Sequence, residues 1–195
     1  ATEDRPWLSR RLLAFGGVDV ADLTGATLDA VFLLCSRHGT KMRIVTGPGY
    51  AHKEELARHL ETLDPQGSLV SFTHATNVMS REMEGADLAI CSAGRTVYEL
   101  AHMRIPAIVI AHNERECRHV FARPANGFAY LGHMRSFDAK KLLRALEKFY
   151  NPDYRRDFQS RMDRFDFAPN KSRVVSKILD LLPAVERNHS SGIVP

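Results

Sequence analysis

One run gathers the residue types that can do chemistry: Ser92-Ala93-Gly94-Arg95-Thr96-Val97-Tyr98-Glu99-Leu100. The stretch before it, Ala86-Asp87-Leu88-Ala89-Ile90-Cys91, is short and apolar enough for a buried parallel strand. A short helix is expected after the run, then Ile105-Pro106 and a second apolar strand over 107–111. Small residues between a strand and a helix let backbone N–H groups approach an anion at the positive end of the helix. Glu99, about one turn into that helix, can accept hydrogen bonds from the hydroxyl pair of a sugar. A phosphate at the turn with a carboxylate close by points to a nucleotide. The plainer alternative is a glycine that closes a strand–helix turn and a solvated glutamate, a common pairing in α/β proteins.

The elements that must position this run alternate regularly. Strands are expected over 11–15, 42–46, 68–72, 86–91, 107–111 and 128–131. Helices are expected over 24–37, 51–63, 76–84 and 114–123, with Leu56, Leu60 and Leu63 at helical spacing. Gly16-Gly17-Val18-Asp19 follows the first strand and Gly47-Pro48-Gly49 turns the chain after the second. Met79 and Met83, four apart, read as a core face. Such a series calls for an α/β fold: a Rossmann-like, doubly wound parallel sheet of about six strands with C-terminal helices. Ligands of such sheets bind at the carboxyl ends of the strands, near the point where the strand order reverses. The Gly16-Gly17 and Gly94 loops are expected to flank that point, which favours the functional reading of the run.

Past the sixth strand, Ser136 is expected to cap a helix that reaches about Tyr150, and Pro152 breaks it. Residues 153–167 interleave Arg155, Arg156, Arg161 and Arg164 with Phe158, Phe165 and Phe167. Asp153, Asp157, Asp163 and Asp166 are mixed in, so the segment reads as a charged outer face over an aromatic contact rather than a nucleic-acid surface. A last helix is expected over 171–182, ended by Pro183. Residues 1–9 read as a linker, 10–182 as one domain, and 183–195 as a flexible tail.

Composition sets outer bounds. The chain has 195 residues, 44% of them hydrophobic, which suits one globular domain. No apolar run approaches the ~20 residues that span a bilayer, and the first residues lack the plan of a secretory signal. A cytoplasmic protein without an integral membrane segment is the simplest expectation. Cys35, Cys91 and Cys117 have no metal-ligand spacing and are odd in number, so neither a disulfide framework nor a metal site is expected. Cys35 and Cys91 read as small core residues. A net charge of +4, from 27 basic and 23 acidic side chains, is too mild and dispersed to imply nucleic acid.

The order and spacing of several short segments carry a family resemblance. They are Gly16-Gly17-Val18-Asp19 with Leu23-Thr24, Asn77-Val78-Met79, Ala86 to Ile90, Ala93-Gly94-Arg95-Thr96-Val97-Tyr98-Glu99, and His112-Asn113-Glu114. Over about residues 10–182 the chain resembles the C-terminal, nucleotide-binding half of two-domain glycosyltransferases of the GT-B type. It is especially similar to the UDP-sugar hydrolase of pseudaminic acid biosynthesis and its spore-coat polysaccharide relatives. The resemblance implies a UDP-sugar as ligand, with Glu99 on the ribose and Ser92, Ala93, Gly94, Arg95 and Thr96 around the diphosphate. It implies that the backbone of Phe72, Thr73 and His74 reads the base edge, and that Gly16 and Gly17 allow close approach of phosphate or sugar. Asp19, Asn113 and Glu114 fall at the sugar end, where Glu114 replaces a glutamine common in the family and adds repulsion toward a diphosphate. No cofactor is implied.

The family's catalytic base belongs to the N-terminal half. That half would be another part of a longer natural chain, a separate subunit or a second copy. Water activation needs a base within hydrogen-bond reach; His74, His112 and His119 are the local candidates, and none is assigned. Two functions stay open: the donor-binding half of a transferase or hydrolase in surface polysaccharide or nonulosonate synthesis, and a non-catalytic nucleotide-sugar-binding module beside a sugar cytidylyltransferase. An ordinary dinucleotide domain ranks last, because the first loop does not fit G-x-G-x-x-G and the second strand ends in Thr46-Gly47-Pro48 without an acidic residue.

Overall fold

Alternating apolar and amphipathic segments do fold as parallel strands and crossover helices. The computed structural model describes residues 8–181. Its strands are β1 (Arg10–Ala14), β2 (Lys41–Thr46), β3 (Val70–His74), β4 (Leu88–Cys91), β5 (Ala107–Ala111) and β6 (Phe128–His133). Its helices are α1 (Leu23–Arg37), α2 (Lys53–Leu63), α3 (Met79–Met83), α4 (Thr96–His102), α5 (Glu114–Cys117), α6 (Ala139–Phe149), α7 (Pro152–Ser160) and α8 (Asn170–Leu181). The strands form one sheet in the order β3-β2-β1-β4-β5-β6, and every neighbouring pair is parallel. The order reverses between β1 and β4, the doubly wound arrangement read from the sequence.

Covered on both faces, the central strands read as unbroken apolar runs: every residue of β4 and β5 is buried. On one face Leu13, Phe15 and Ile44 share a cluster with Leu28, Val31 and Phe32 of α1 and with Leu142, Leu146 and Phe149 of α6. Each such side chain contributes ~1.5–3 kcal/mol through removal from water. Arg11 is the exception to this apolar logic. It is fully buried, donates from one terminal nitrogen to the Cys35 sulfur, and lies 4.7 Å from the centre of the Tyr150 ring. Cys35 and Cys91 are core residues as expected.

Local chemistry moves several boundaries. The helix expected over 114–123 stops at Cys117, where the N–H groups of Arg118 and His119 tighten onto the carbonyls three residues back, Arg115 and Glu116. α6 is capped by Asp138 rather than Ser136, which lies in a 3-10 turn, Met134–Ser136. Pro152 does end α6, and it also opens α7, where a missing N–H costs nothing. Asn151 caps α7 by accepting from the N–H groups of Asp153 and Tyr154 at 2.8 and 3.4 Å. The charged face expected over 153–167 has one inward member. Arg155 is buried and donates to the Phe149 and Tyr150 carbonyls at the end of α6 at 2.7 and 3.1 Å.

The chain divides into two units, residues 1–164 and 165–195. The first holds the sheet. In the second, the Phe165 and Phe167 rings stack and α8 follows. The segment 183–195, and the linker read over 1–9 up to residue 7, lie outside the described residues. No described helix is long and apolar enough to cross a membrane.

Candidate functional site

The carboxyl ends of β1, β4, β5 and β6 open into one cleft of about 1420 Å³. Gly16, Gly17 and Asp19 line it from the loop after β1, and Ser92, Gly94, Arg95, Thr96 and Glu99 from the turn into α4. Asn113 and Glu114 line it from the end of β5. Residues far apart in sequence, from Gly16 to Glu114, thus meet where the strand order reverses.

The loop after β1 is held from two sides. Gly16 adopts φ +87°, a left-handed conformation that favours glycine. The loop after β2 packs directly on it: Gly47 and Gly49 donate to the carbonyls of Gly16 and Gly17 at 3.3 and 3.0 Å. A Cβ on Gly47 would fall 2.4 Å from the Gly17 Cα, so no side chain fits there. The Gly-Pro-Gly turn therefore buttresses the first glycine loop.

Asp19 is the centre of the other support. It is buried at positive φ, and its carboxylate accepts from the N–H groups of Leu23 and Thr24 at 3.0 and 2.9 Å. It also accepts from the Thr24 hydroxyl at 2.6 Å and from Nε2 of His112 at 3.0 Å. Burial opposes its ionisation, yet the bonds from His112, Thr24 and Leu23 together hold the carboxyl below its ordinary value. A carboxylate offers about four acceptor positions, and all are occupied here. Asp19 thus lines the cleft as expected, but with no acceptor position left for a sugar hydroxyl. Asp22 accepts from Gly25 N–H at 3.0 Å and from the Tyr50 hydroxyl at 2.5 Å, completing the first turn of α1.

The turn after β4 is different. No side chain caps α4. Arg95 and Glu99 are exposed, and no described residue bonds the Glu99 carboxylate. The Ser92 hydroxyl stands between the two glycine turns, 3.8 Å from where a Cβ on Gly16 would lie and 3.4 Å from one on Gly94. Ala93 is buried, and its carbonyl accepts from Nδ1 of His119 at 2.7 Å. With that proton on Nδ1, Nε2 accepts from the Tyr98 hydroxyl at 2.9 Å. His119 is thereby a strut that fixes where α4 begins.

The end of β5 carries a cap of the capping-box kind, formed by Asn113 and Glu116. The Asn113 side chain accepts from Glu116 N–H at 3.0 Å, and the Glu116 carboxylate reaches back to His112 N–H at 2.9 Å. Glu116 lines the cleft, and sequence reading missed it despite that spacing. Arg115, His133 and Arg135 were also missed; the last two reach the cleft because β6 runs on to His133.

Phe72, Thr73 and His74 are not among the residues that line the cleft. Phe72 packs on the core, and His74 meets the Thr46 hydroxyl at 3.0 Å across the β2–β3 edge. Thr76 and Met79, just beyond them, line the cleft instead. Met79, expected in the core with Met83, is half-exposed there, whereas Met83 is buried. Among the described residues no group of three His, Cys, Asp or Glu side chains is arranged to hold a metal ion.

The fold is thus a Rossmann-like, doubly wound sheet with its cleft at the switch point and two glycine turns facing it. Residues 11–163 match the glycosyltransferase family 28 C-terminal domain, and the chain belongs to that family. Solved structures with the same fold include MurG from Acinetobacter baumannii, 15% identical with a TM-score of 0.67, covering 89% of this chain and 50% of that one. HepE from Anabaena, solved with UDP and with UDP-glucose, is 16% and 15% identical, with TM-scores of 0.56 and 0.59. The chain covers 50% and 49% of those HepE chains, which cover 89% of it. An uncharacterized protein of Methanocaldococcus jannaschii is 32% identical over 108 residues, 54% of this chain and 22% of that protein. The chain thus spans half or less of the length of these relatives.

Proposed function

We propose that this chain is the donor-binding half of a glycosyltransferase-like or UDP-sugar hydrolase enzyme, with a nucleoside diphosphate sugar as ligand. The carrying observation is the convergence of two glycine turns, the Ser92 hydroxyl and the unengaged Glu99 carboxylate on one cleft in a family 28 C-terminal domain. In this reading the 92–96 turn and the Gly16-Gly17 loop hold the diphosphate, and Glu99 accepts from both ribose hydroxyls. Asn113 and Glu114 face the sugar, while the backbone near Phe72, Thr73 and His74 approaches the base. The attacking hydroxyl or water, and the base that activates it, come from an N-terminal half supplied by the same natural chain, a separate subunit or a second copy. The likeness in sequence order to the pseudaminic acid hydrolase and spore-coat proteins supports a role in surface polysaccharide or nonulosonate synthesis, and a cytoplasmic location is part of the same proposal.

A second reading keeps the ligand and drops the reaction: a binding module beside a sugar cytidylyltransferase. Glu114 at the sugar end and Glu116 beside the Gly94 turn favour it, since two carboxylates weaken the hold on a diphosphate. Calorimetric titration with UDP, CMP and NAD tests the shared claim. UDP is expected to bind, and Glu99→Ala to weaken it about tenfold, ~1.4 kcal/mol. Equal affinity in the two proteins would remove Glu99 from the ribose site. Turnover of UDP-sugar with and without an added N-terminal half separates the two readings.

A further inference from the structure

The pair formed by Asp19 and His112 has no part in the ligand contacts described so far. Asp19 can only accept, so Nε2 of His112 donates to it, and the ring is held in one orientation. The other ring nitrogen, Nδ1, has no bond from any described residue and is not among the fully buried polar atoms left without a partner, so it reaches solvent, and His112 lines the cleft. The location is specific. His112 follows β5 and Asp19 lies in the loop after β1, on either side of β4, which ends at Ser92 between the two glycine turns. The imidazole therefore stands where those turns converge.

Resting on the nucleotide reading above, we infer that His112 is a proton-binding contact for the ligand's diphosphate, joining the buried Asp19 carboxylate to the phosphate oxygens. A neutral ring would turn the Nδ1 lone pair toward an oxygen that also carries lone pairs. A protonated ring turns an N–H toward it, and the order carboxylate, imidazolium, phosphate alternates in charge. As the ligand binds, a buffer acid in solvent gives up a proton that forms the Nδ1–H bond, and no bond within the ligand breaks. The other charged groups around the ring are Glu114, Arg115 and Glu116 on its own loop, with the Glu116 carboxylate on its backbone N–H. Arg95 and Glu99 face the cleft from the α4 side, and His133 and Arg135 from the end of β6. Among the described residues only Asp19 hydrogen-bonds the His112 ring.

The test is calorimetric titration of the full chain with UDP-glucose near pH 7.5, in two buffers of different ionisation heat. The diphosphate of UDP-glucose is a diester that does not titrate near neutrality, so proton uptake reports on the protein. Wild type is expected to take up a proton on binding, with affinity that falls up to about tenfold per pH unit as pH rises. His112→Gln is expected to abolish the uptake, flatten the profile and weaken UDP-glucose about tenfold, leaving any affinity for uridine unchanged. Asp19→Asn is expected to reduce the uptake, with its thermal unfolding followed in parallel because Asp19 also caps α1. Binding without uptake in wild type, undiminished uptake in His112→Gln, or an equal loss for uridine would overturn the inference while the nucleotide reading stands. Failure of wild type to bind UDP or UDP-glucose would overturn both.

Discussion

The two turns that meet across β1 and β4 handle the positive end of a helix in opposite ways. At α1 the helix supplies its own anions. Asp19 takes the N–H groups of Leu23 and Thr24, and Asp22 takes that of Gly25. Both carboxylates sit where the helix dipole favours negative charge. At α4 no side chain caps the helix, and Arg95 and Glu99 project into the cleft from an otherwise similar strand–turn–helix unit. The first turn is saturated by the protein, and the second is left for something else. The proposed diphosphate site falls at this second turn, whereas the dinucleotide fingerprint is a β1–α1 device.

This contrast predicts separable effects. Asp19→Ala strips two N–H groups and His112 of their partner at once. It is expected to cost about 3 kcal/mol in urea unfolding. The pH dependence follows with its sign. Because the folded carboxyl titrates below its ordinary value of 3.8, Asp19 stabilises the protein above that pH and ceases to as pH falls through the folded value. The stability gap between wild type and Asp19→Ala is thus expected to narrow as pH falls through the ordinary value of 3.8 toward the lower folded one. A gap that widens on acidification would mean that the network is misread.

Gly47→Ala comes next. Its Cβ would meet the Gly17 backbone, which cannot swing away as a side chain could, at an expected cost of about 2 kcal/mol in the same unfolding experiment. Gly94→Ala sharpens the comparison from the other turn. A Cβ there meets only the side chains of Ser92 and Glu116, at 3.4 and 3.7 Å, so stability is expected to stay within about 0.5 kcal/mol. Nucleotide affinity is expected to fall roughly fivefold as the methyl enters the anion's space. Loss of stability without loss of binding would reverse the roles assigned to the two turns.

Much of this was legible in the sequence because it rests on local signals. Apolar runs gave all six strands to within a few residues, β5 with both ends right, and the glycine turns fell at the switch point. What was not legible depends on long-range contact. Nothing near Asp19 in sequence announces His112, 93 positions away, and so a residue expected at a sugar proves to be bonded within the protein. Gly47 reads as an ordinary turn residue until it is seen against Gly17. The strand expected over 68–72 is shifted by two residues to Val70–His74, so Phe72 and His74 lie within β3, with side chains on the core and on Thr46. Arg155 carries the charge pattern of a solvated face, yet the uncapped carbonyls at the end of α6 draw it inward. Glu116 was legible in principle through the Asn-x-x-Glu cap.

The central claim is that the open α4 turn, and not the saturated α1 turn, holds the ligand's phosphates beside Glu99. A crystal structure of the chain with UDP tests it most directly. The diphosphate is expected against the 92–96 turn, with both ribose hydroxyls within about 3.2 Å of the Glu99 carboxylate. A UDP whose phosphates sit on the first turn of α1, or whose ribose points away from Glu99, would contradict it.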